Sequence, residues 1–514
     1  MHLYLGLAVW AAAAFVLFKI ASWAIAKRQF AAKATELGAQ EAPSYPNQGL
    51  FGLKHLQYIM KADKERLFPD MLLERQAEMS RIHGREVSTF YNTLFGQKVY
   101  FTSDPRNIQA MLATQFLDFS LGDARHGIMS KSLGEGIFVQ DGKAWEHSRA
   151  MLRPNFVREQ VLPVDENGWT ADTDIQTLFF RFTIDSATEF LFGESVDSQL
   201  TEAGLASSKS TAQRSREAAF SKSFDAAQRQ MASQFRLGDL WWLSNPKSYQ
   251  EDIKVINDFI AHYVDLGLQK SKSEKHSSDE KEHYVLLNAL AEQTQDPIEI
   301  RGQLLNILLA GRDTTASLLS WTFHQLLRNP HVFKKLRSEI VSDFGTYENP
   351  RNLSFATLKS CTYLQQTLSE VLRLWTVVPG NGRRAAKVTT LPRGGGPDGE
   401  SPILLAPNTE INYSIHVMHR RESIWGPDAT EFKPERFAGR KSGWEYLPFN
   451  GGPRVCIGQQ FALTEAAFVL VRLLQRFDQL DFGGGERDPV IRSNLTLTSA
   501  PAELVRVRMR EARD

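Results

Sequence analysis

Between Leu3 and Ala26 apolar residues follow one another almost without interruption, broken only by Lys19 and the small Ser22. As a helix rising about 1.5 Å per residue, that run covers ~36 Å, enough for a bilayer core. It predicts a membrane-anchoring helix, with a surface-lying helix as the alternative because Lys19 falls inside the run. Lys27, Arg28 and Lys33 come next, and a cationic flank of this kind stays on the cytoplasmic side. No small-residue cleavage site stands out, so the segment does not read as a removed signal peptide. Pro43-Ser44-Tyr45-Pro46 then breaks any helix. Residues 1–28 accordingly read as anchor, 29–47 as a basic and proline-rich linker, and 48–514 as one folded body.

Within that body the period of the pattern changes. Val87 to Leu94 and Lys98 to Thr102 alternate as half-buried strands do. Asp141 to Arg149 reads as a turn followed by a helix, which puts Trp145 and Arg149 on one face. Residues 198–236 are polar and helix-permissive, and the charged, serine-rich run 270–283 reads as a solvated loop. Asp296-Pro297-Ile298-Glu299 has the form of a helix start, with Asp as N-cap, Pro at the first position and Glu placed to complete a capping box. No stop appears before Asn329-Pro330, so this helix is expected to run about 32 residues, or ~48 Å.

In the middle of that helix, Ala310-Gly311-Arg312-Asp313-Thr314-Thr315 interrupts the apolar pattern. Ala310 and Gly311 leave room for a neighbouring group, and Thr314 is expected to bond a backbone carbonyl and bulge the helix. Asp313 and Thr314 together suit proton transfer. The alternative is a kinked helix whose aspartate is salt-bridged. Further on, Glu370 and Arg373 share a face between about Leu364 and Leu374 among Leu368, Val371, Leu372 and Trp375. That setting implies a buried pair needing a further partner, for which Arg436 is the candidate.

Charge narrows the function classes. Lys plus Arg number 60 against 59 for Asp plus Glu, so no global field attracts nucleic acid or repels a membrane. Only Cys361 and Cys456 are present, which leaves no disulfide framework and suits a reducing compartment. Cys456 sits in Phe449-Asn450-Gly451-Gly452-Pro453-Arg454-Val455-Cys456-Ile457-Gly458, just ahead of a helical run from Gln459. A thiol before a helix N-terminus is expected to have a lowered pKa and to form a thiolate. The alternative is a structural cysteine in a glycine turn.

The spacing Phe-x-x-Gly-x-Arg-x-Cys-x-Gly resembles the haem-ligand signature of the cytochrome P-450 monooxygenases, and further blocks in that family's order extend the resemblance over about residues 134–465. The resemblance implies a mainly α fold with a small β part in a single haem-thiolate monooxygenase domain behind an N-terminal membrane anchor. It implies haem b, with Cys456 as axial ligand to the iron and Phe449 shielding the sulfur. Trp145, Arg149, Arg383 and Arg454 would bind the propionates, a stacked cation–π surface pair being the alternative for Trp145 and Arg149. Asp313 and Thr314 match the oxygen-activation motif as catalytic residues, and Glu370, Arg373 and Arg436 match a structural network.

No flavin or dinucleotide-binding domain is visible, so electrons from NADPH are expected through a separate membrane-bound flavoprotein reductase. The expected location is the endoplasmic reticulum membrane, single-pass, with the catalytic body cytoplasmic. Arg312, the run Leu391 to Gly396 and the segment Phe449 to Glu465 resemble the fungal alkane and fatty-acid hydroxylases. A hydrophobic small molecule hydroxylated at its chain end is therefore the expected substrate. Gly380-Asn381-Gly382 departs from the family pattern and leaves a lipid-like secondary-metabolite intermediate as the alternative. A haem-thiolate isomerase or dehydratase is a further alternative, although such an enzyme has no use for a proton relay through Asp313 and Thr314.

Overall fold

The computed structural model describes residues 2–151, 165, 167–202, 210–273, 285–483 and 490–513. Its described residues form two compact units, one comprising Met1–His55, Gln76–Ser120 and Gly382–Tyr413, the other Leu56–Arg75, Leu121–Asn381 and Ser414–Asp514.

The first unit begins with helix α1 (His2–Glu36). Its Trp10–Glu36 stretch is long and apolar enough to cross a membrane and is entirely unburied. The helix runs on through Lys33, where the sequence pattern suggested a linker from residue 29. Ala, Lys, Arg and Gln are good helix formers, and no breaker occurs before Gly38, whose φ of 61° ends the helix in the left-handed region. A five-stranded sheet follows, made from β1 (Thr89–Leu94), β2 (Gln97–Thr102), β3 (Phe119–Ser120), β4 (Gly380–Ala385) and, after a hairpin at residues 389–405, β5 (Glu410–Ser414). The strands lie in the order β1-β2-β5-β4-β3. β1 pairs antiparallel with β2, with Thr89 opposite Thr102, while β2 runs parallel to β5. The Thr89 and Thr102 hydroxyls meet at 2.8 Å, and the Asn107 amide donates to both, so the buried polar groups of this register are satisfied.

The second unit is helical. Its central element is α6 (Pro297–Arg328), 32 residues long. The other helices used below are α2 (Gly142–Ala150), α3 (Ile175–Phe192), α4 (Thr211–Leu237), α5 (Lys247–Ser273), α7 (Pro330–Phe344), α8 (Thr362–Leu374) and α9 (Gln459–Arg476). α5 takes in the first residues of the charged run at 270, and residues 274–283 of that run lie outside the described residues. A large core gathers Trp321, Phe323 and Leu326 of α6, Leu336 of α7, Leu364 and Leu368 of α8, and Leu470 and Leu474 of α9. Each such side chain contributes about 1.5–3 kcal/mol by leaving water, which locks α6 between its neighbours. Trp321 stacks on Trp375 at 4.2 Å and donates its indole N–H to the Ser499 carbonyl.

Asp296 caps α6 through the Ile298 amide at 2.9 Å. The expected capping box does not form, because the Glu299 carboxylate instead meets the His147 ring of α2 at 2.9 Å. α6 also passes so close to the segment 134–138 that a Cβ on Gly302 would lie 2.1 Å from the Glu135 carbonyl oxygen, so only glycine fits there.

Candidate active site

The Cys456 loop is held as a tight backbone turn. The Cys456 amide donates to the Phe449 carbonyl at 3.0 Å, and the Val455 amide to that of Gly452 at 3.0 Å. Gly452 adopts a φ of 65°, which a glycine supplies without strain. Phe449 packs partly buried against the large core. Cys456 itself is exposed, while the other cysteine, Cys361, is buried. Although its sulfur is open on one side, the surrounding protein desolvates the thiol and raises its pKa, against the pull of the Gly458 amide and Arg149. The expectation of a lowered thiol pKa is therefore corrected for the free protein: burial outweighs the helix end. A bound metal cation would reverse the balance, since a coordinating thiol loses its proton outright.

α2 supplies the polar flank. Arg149 donates to the Val455 carbonyl at 2.9 Å, beside Cys456, and its guanidinium lies 5.9 Å from the centre of the buried Trp145 ring. Burial lowers the Arg149 pKa, and the Cys456 charge works against that shift. Arg454 crosses the same ring at 4.5 Å and donates to Asp141 at 2.6 Å and to the Gln140 carbonyl at 2.9 Å. Trp145, Arg149 and Arg454 are thus gathered at the cysteine loop, through contacts made with protein groups. Arg383 belongs to the first unit, on β4, where it donates to the Gly382 carbonyl at 2.8 Å and lies 5.8 Å from the Tyr413 ring.

On α6, every residue from Gly302 to Leu327 is buried except Ile307, Ala310, Gly311 and Thr314. Their spacing places all four on one face, so a single open stripe runs along an otherwise enclosed helix. A Cβ on Gly311 would meet only the Ala187 methyl, at 3.9 Å. The Thr314 hydroxyl bonds the Ala310 carbonyl at 2.6 Å, yet α6 remains continuous, and the expected bulge is absent from it. An i−4 bond of this kind returns to a carbonyl the helix already uses and need not open the turn.

Asp313 points away from that stripe and is buried, as is Arg312. Burial, reinforced by the charge of Asp225, raises the Asp313 pKa, while Arg312 and the Gln228 amide pull it down. Asp225 and Gln228 lie on α4, and nothing in the sequence marked them. Glu465 of α9 accepts from Ser186 of α3 at 2.8 Å. Desolvation raises the Glu465 pKa to about 7. The sequence showed Glu465 only as the end of the segment that resembles the fungal hydroxylases, because its Ser186 partner comes from another element.

Glu370 and Arg373 form a fully buried bidentate pair at 2.7 and 2.9 Å, and Arg436 reaches the same carboxylate at 3.4 Å. Arg373 also donates to the carbonyls of His419, Ala429 and Glu431. The His419 ring in turn accepts the Leu447 amide at 3.0 Å. This network thereby fixes the strand of chain that enters the cysteine loop.

These residues fit a thiolate-ligated haem: an accessible sulfur in a rigid amide-lined turn, arginines and an indole beside it, and an open stripe of small residues on the central helix. The family model described as Cytochrome P450 matches residues 163–506. Cytochrome P450 monooxygenase g430 of Fusarium sp is 46% identical, over 98% of this chain and 90% of its own length. Cytochrome P450 52A5 of Candida maltosa is 45% identical over 90% of both chains, and cytochrome P450 monooxygenase alt2 of Alternaria solani 41% identical over 87% of both. A match over most of the chain, together with a site suited to haem-thiolate chemistry, establishes that this protein belongs to the cytochrome P450 family of monooxygenases, which are oxidoreductases.

Proposed function

We propose that the protein is an NADPH-dependent monooxygenase that inserts one oxygen atom from dioxygen into a long-chain fatty acid or n-alkane at its terminal carbon. The observation that supports it most is the rigid Cys456 turn, because oxygen activation of this kind needs a thiolate-ligated iron, and the central helix carries the small residues and the Thr314 hydroxyl that such chemistry also requires. Haem bound to Cys456 supplies the activation of dioxygen. Arg149, Arg454 and Trp145 would hold its propionates by charge and N–H donation, and Phe449 would keep water from the sulfur. Thr314 presents its hydroxyl on the open face, and Asp313 holds the proton behind it. Electrons arrive from NADPH through a separate membrane-bound flavoprotein reductase. Helix α1 holds the protein in the endoplasmic reticulum membrane with the catalytic part cytoplasmic, so that the substrate is taken where lipid chains partition.

Chain-end selectivity follows from resemblance to the fungal hydroxylases in Arg312, the run Leu391 to Gly396 and the cysteine segment. Each buried methylene adds about 0.8 kcal/mol, so affinity should climb with chain length until the cavity is full. Spectral titration of the haem protein with acids and alkanes of increasing length, followed by product analysis with a competent reductase, tests the reading. An ω-hydroxylated product supports it. If no chain perturbs the haem spectrum or gives that product, terminal hydroxylation is wrong, and a lipid-like secondary-metabolite intermediate becomes the substrate class to test.

A further inference from the structure

Asp313 is paired less simply than its sequence context suggests. The adjacent Arg312 is a buried guanidinium, 5% exposed, between two carboxylates. It makes a close ion pair with Asp225 of α4, whereas its distance to Asp313 is 3.5 Å, beyond a charge-assisted hydrogen bond. Phe224, the neighbour of Asp225, lies 5.8 Å from the same guanidinium and covers it. One Asp313 oxygen, Oδ1, is buried with no hydrogen-bond partner among the described residues. A carboxylate so placed is costly to keep ionised, and the same group carrying a proton is not. Asp225, by contrast, is 41% exposed and meets solvent.

We propose that Asp225 is a positioning residue for the acid on the central helix: by drawing Arg312 outward to α4, it keeps the guanidinium off Asp313 and leaves that carboxyl able to hold a proton and give it up. Charge bookkeeping supports this division. One cation between two carboxylates neutralises one of them, and the solvent-facing partner takes it. The second carboxyl, deep in the helix bundle, then rests protonated. The ionisable groups acting on Asp313 are Arg312 from its own helix and Asp225 from α4, joined by the uncharged Gln228 amide. Glu465 of α9 is a second desolvated carboxyl, which must be separated in any measurement. Because Asp225 rides on α4, a displacement of that helix that broke the pair would release Arg312 to Asp313 and discharge the acid.

The proposal rests on the reading of Asp313 as the acid, and its test separates the two. Infrared pH-difference spectra of the haem-loaded full chain would record the carbonyl stretch of protonated carboxyl groups. The Asp313 band is identified by its loss in Asp313→Asn, and the Glu465 band by its loss in Glu465→Gln. In Asp225→Asn, Arg312 should close on Asp313, and the Asp313 band should titrate away at a pH lower by roughly 1 to 3 units. The hydrogen peroxide released per NADPH should rise together with that shift. Adding Arg312→Gln to Asp225→Asn should return the band to its original or a higher pH and lower the peroxide again. An unshifted Asp313 band in Asp225→Asn, or a shift that Arg312→Gln does not reverse, overturns the positioning role. Unchanged coupling in Asp313→Asn would instead overturn the reading of Asp313 as the acid. The reduced carbon-monoxide spectrum of each variant confirms a folded, haem-loaded protein, and Asp225→Glu, which keeps the charge, should behave as wild type.

Discussion

Cys456 and Thr314 are the residues on which the chemistry turns, and each has a direct test. Cys456 offers an accessible sulfur braced by the Gly458 amide and Arg149, so the reduced carbon-monoxide complex should show the long-wavelength Soret band of thiolate ligation. Cys456→Ala or Cys456→His should abolish that band, and its retention in either variant would disprove the ligand. Thr314 presents its hydroxyl on the open face of α6 while bonding the Ala310 carbonyl. Thr314→Ala should leave NADPH consumption running while product falls and hydrogen peroxide rises, the loss in product rate approaching the ~10²-fold that a positioned proton donor contributes. Product per NADPH equal to wild type would remove Thr314 from the mechanism. Thr314 was readable from its motif, whereas Asp225 was not, since its meaning comes wholly from a guanidinium on another helix.

Among the elements, the junction of α8 with the chain entering the cysteine loop carries the most concentrated polar burial. Removing one partner of a buried ion pair leaves the other charge uncompensated and typically costs about 3–5 kcal/mol. Glu370→Ala should therefore lower the unfolding midpoint strongly, since it strands the fully buried Arg373; a midpoint within error of wild type would show that the backbone carbonyls alone suffice. His419 links this network to Leu447, and burial together with the Arg373 charge lowers its pKa to about 3. In the unfolded chain the same ring titrates near ~6.5, so between those values the unfolded state binds the extra proton. Stability should be level above about pH 6.5 and fall as the pH drops below it, by up to ~1.4 kcal/mol per unit for this one group. His324, held neutral by burial and by Arg328 with a pKa of about 3, adds to the same slope. Urea unfolding across this range should show a shallower slope for His419→Gln than for wild type; identical slopes would mean that His419 does not titrate on unfolding.

For the whole molecule, α1 is the feature with the largest consequence. Its unburied Trp10–Glu36 stretch has nothing in the fold to cover it, and an aqueous helix of that composition is unfavourable. Full-length protein should stay with membranes after high salt and carbonate, and a chain beginning at Pro43 should be held less tightly. Release of the full-length protein by carbonate would rule out a spanning helix. Burial elsewhere follows the helical unit's core, in which α6, between Gly302 and Leu327, opens only at the Ile307–Thr314 face.

The features legible in the sequence were local ones. The long helix from Pro297 to Arg328, the strands at Thr89 and Gln97 and the turn around Cys456 are written in short-range chemistry: a cap and a proline, two-residue alternation, glycines beside a thiol. Misreadings arose where a side chain had a choice of partners. Glu299 could serve its own helix end but pairs with His147, and the Cys456 thiol responds to desolvation more than to the helix behind it. The tertiary structure alone decided other long-range partners: Glu465 with Ser186, and Asp225 with Arg312. The reason is physical. Covalent neighbours fix backbone geometry within a few residues, whereas a buried charge is set by whatever the packing of distant helices brings within hydrogen-bonding reach.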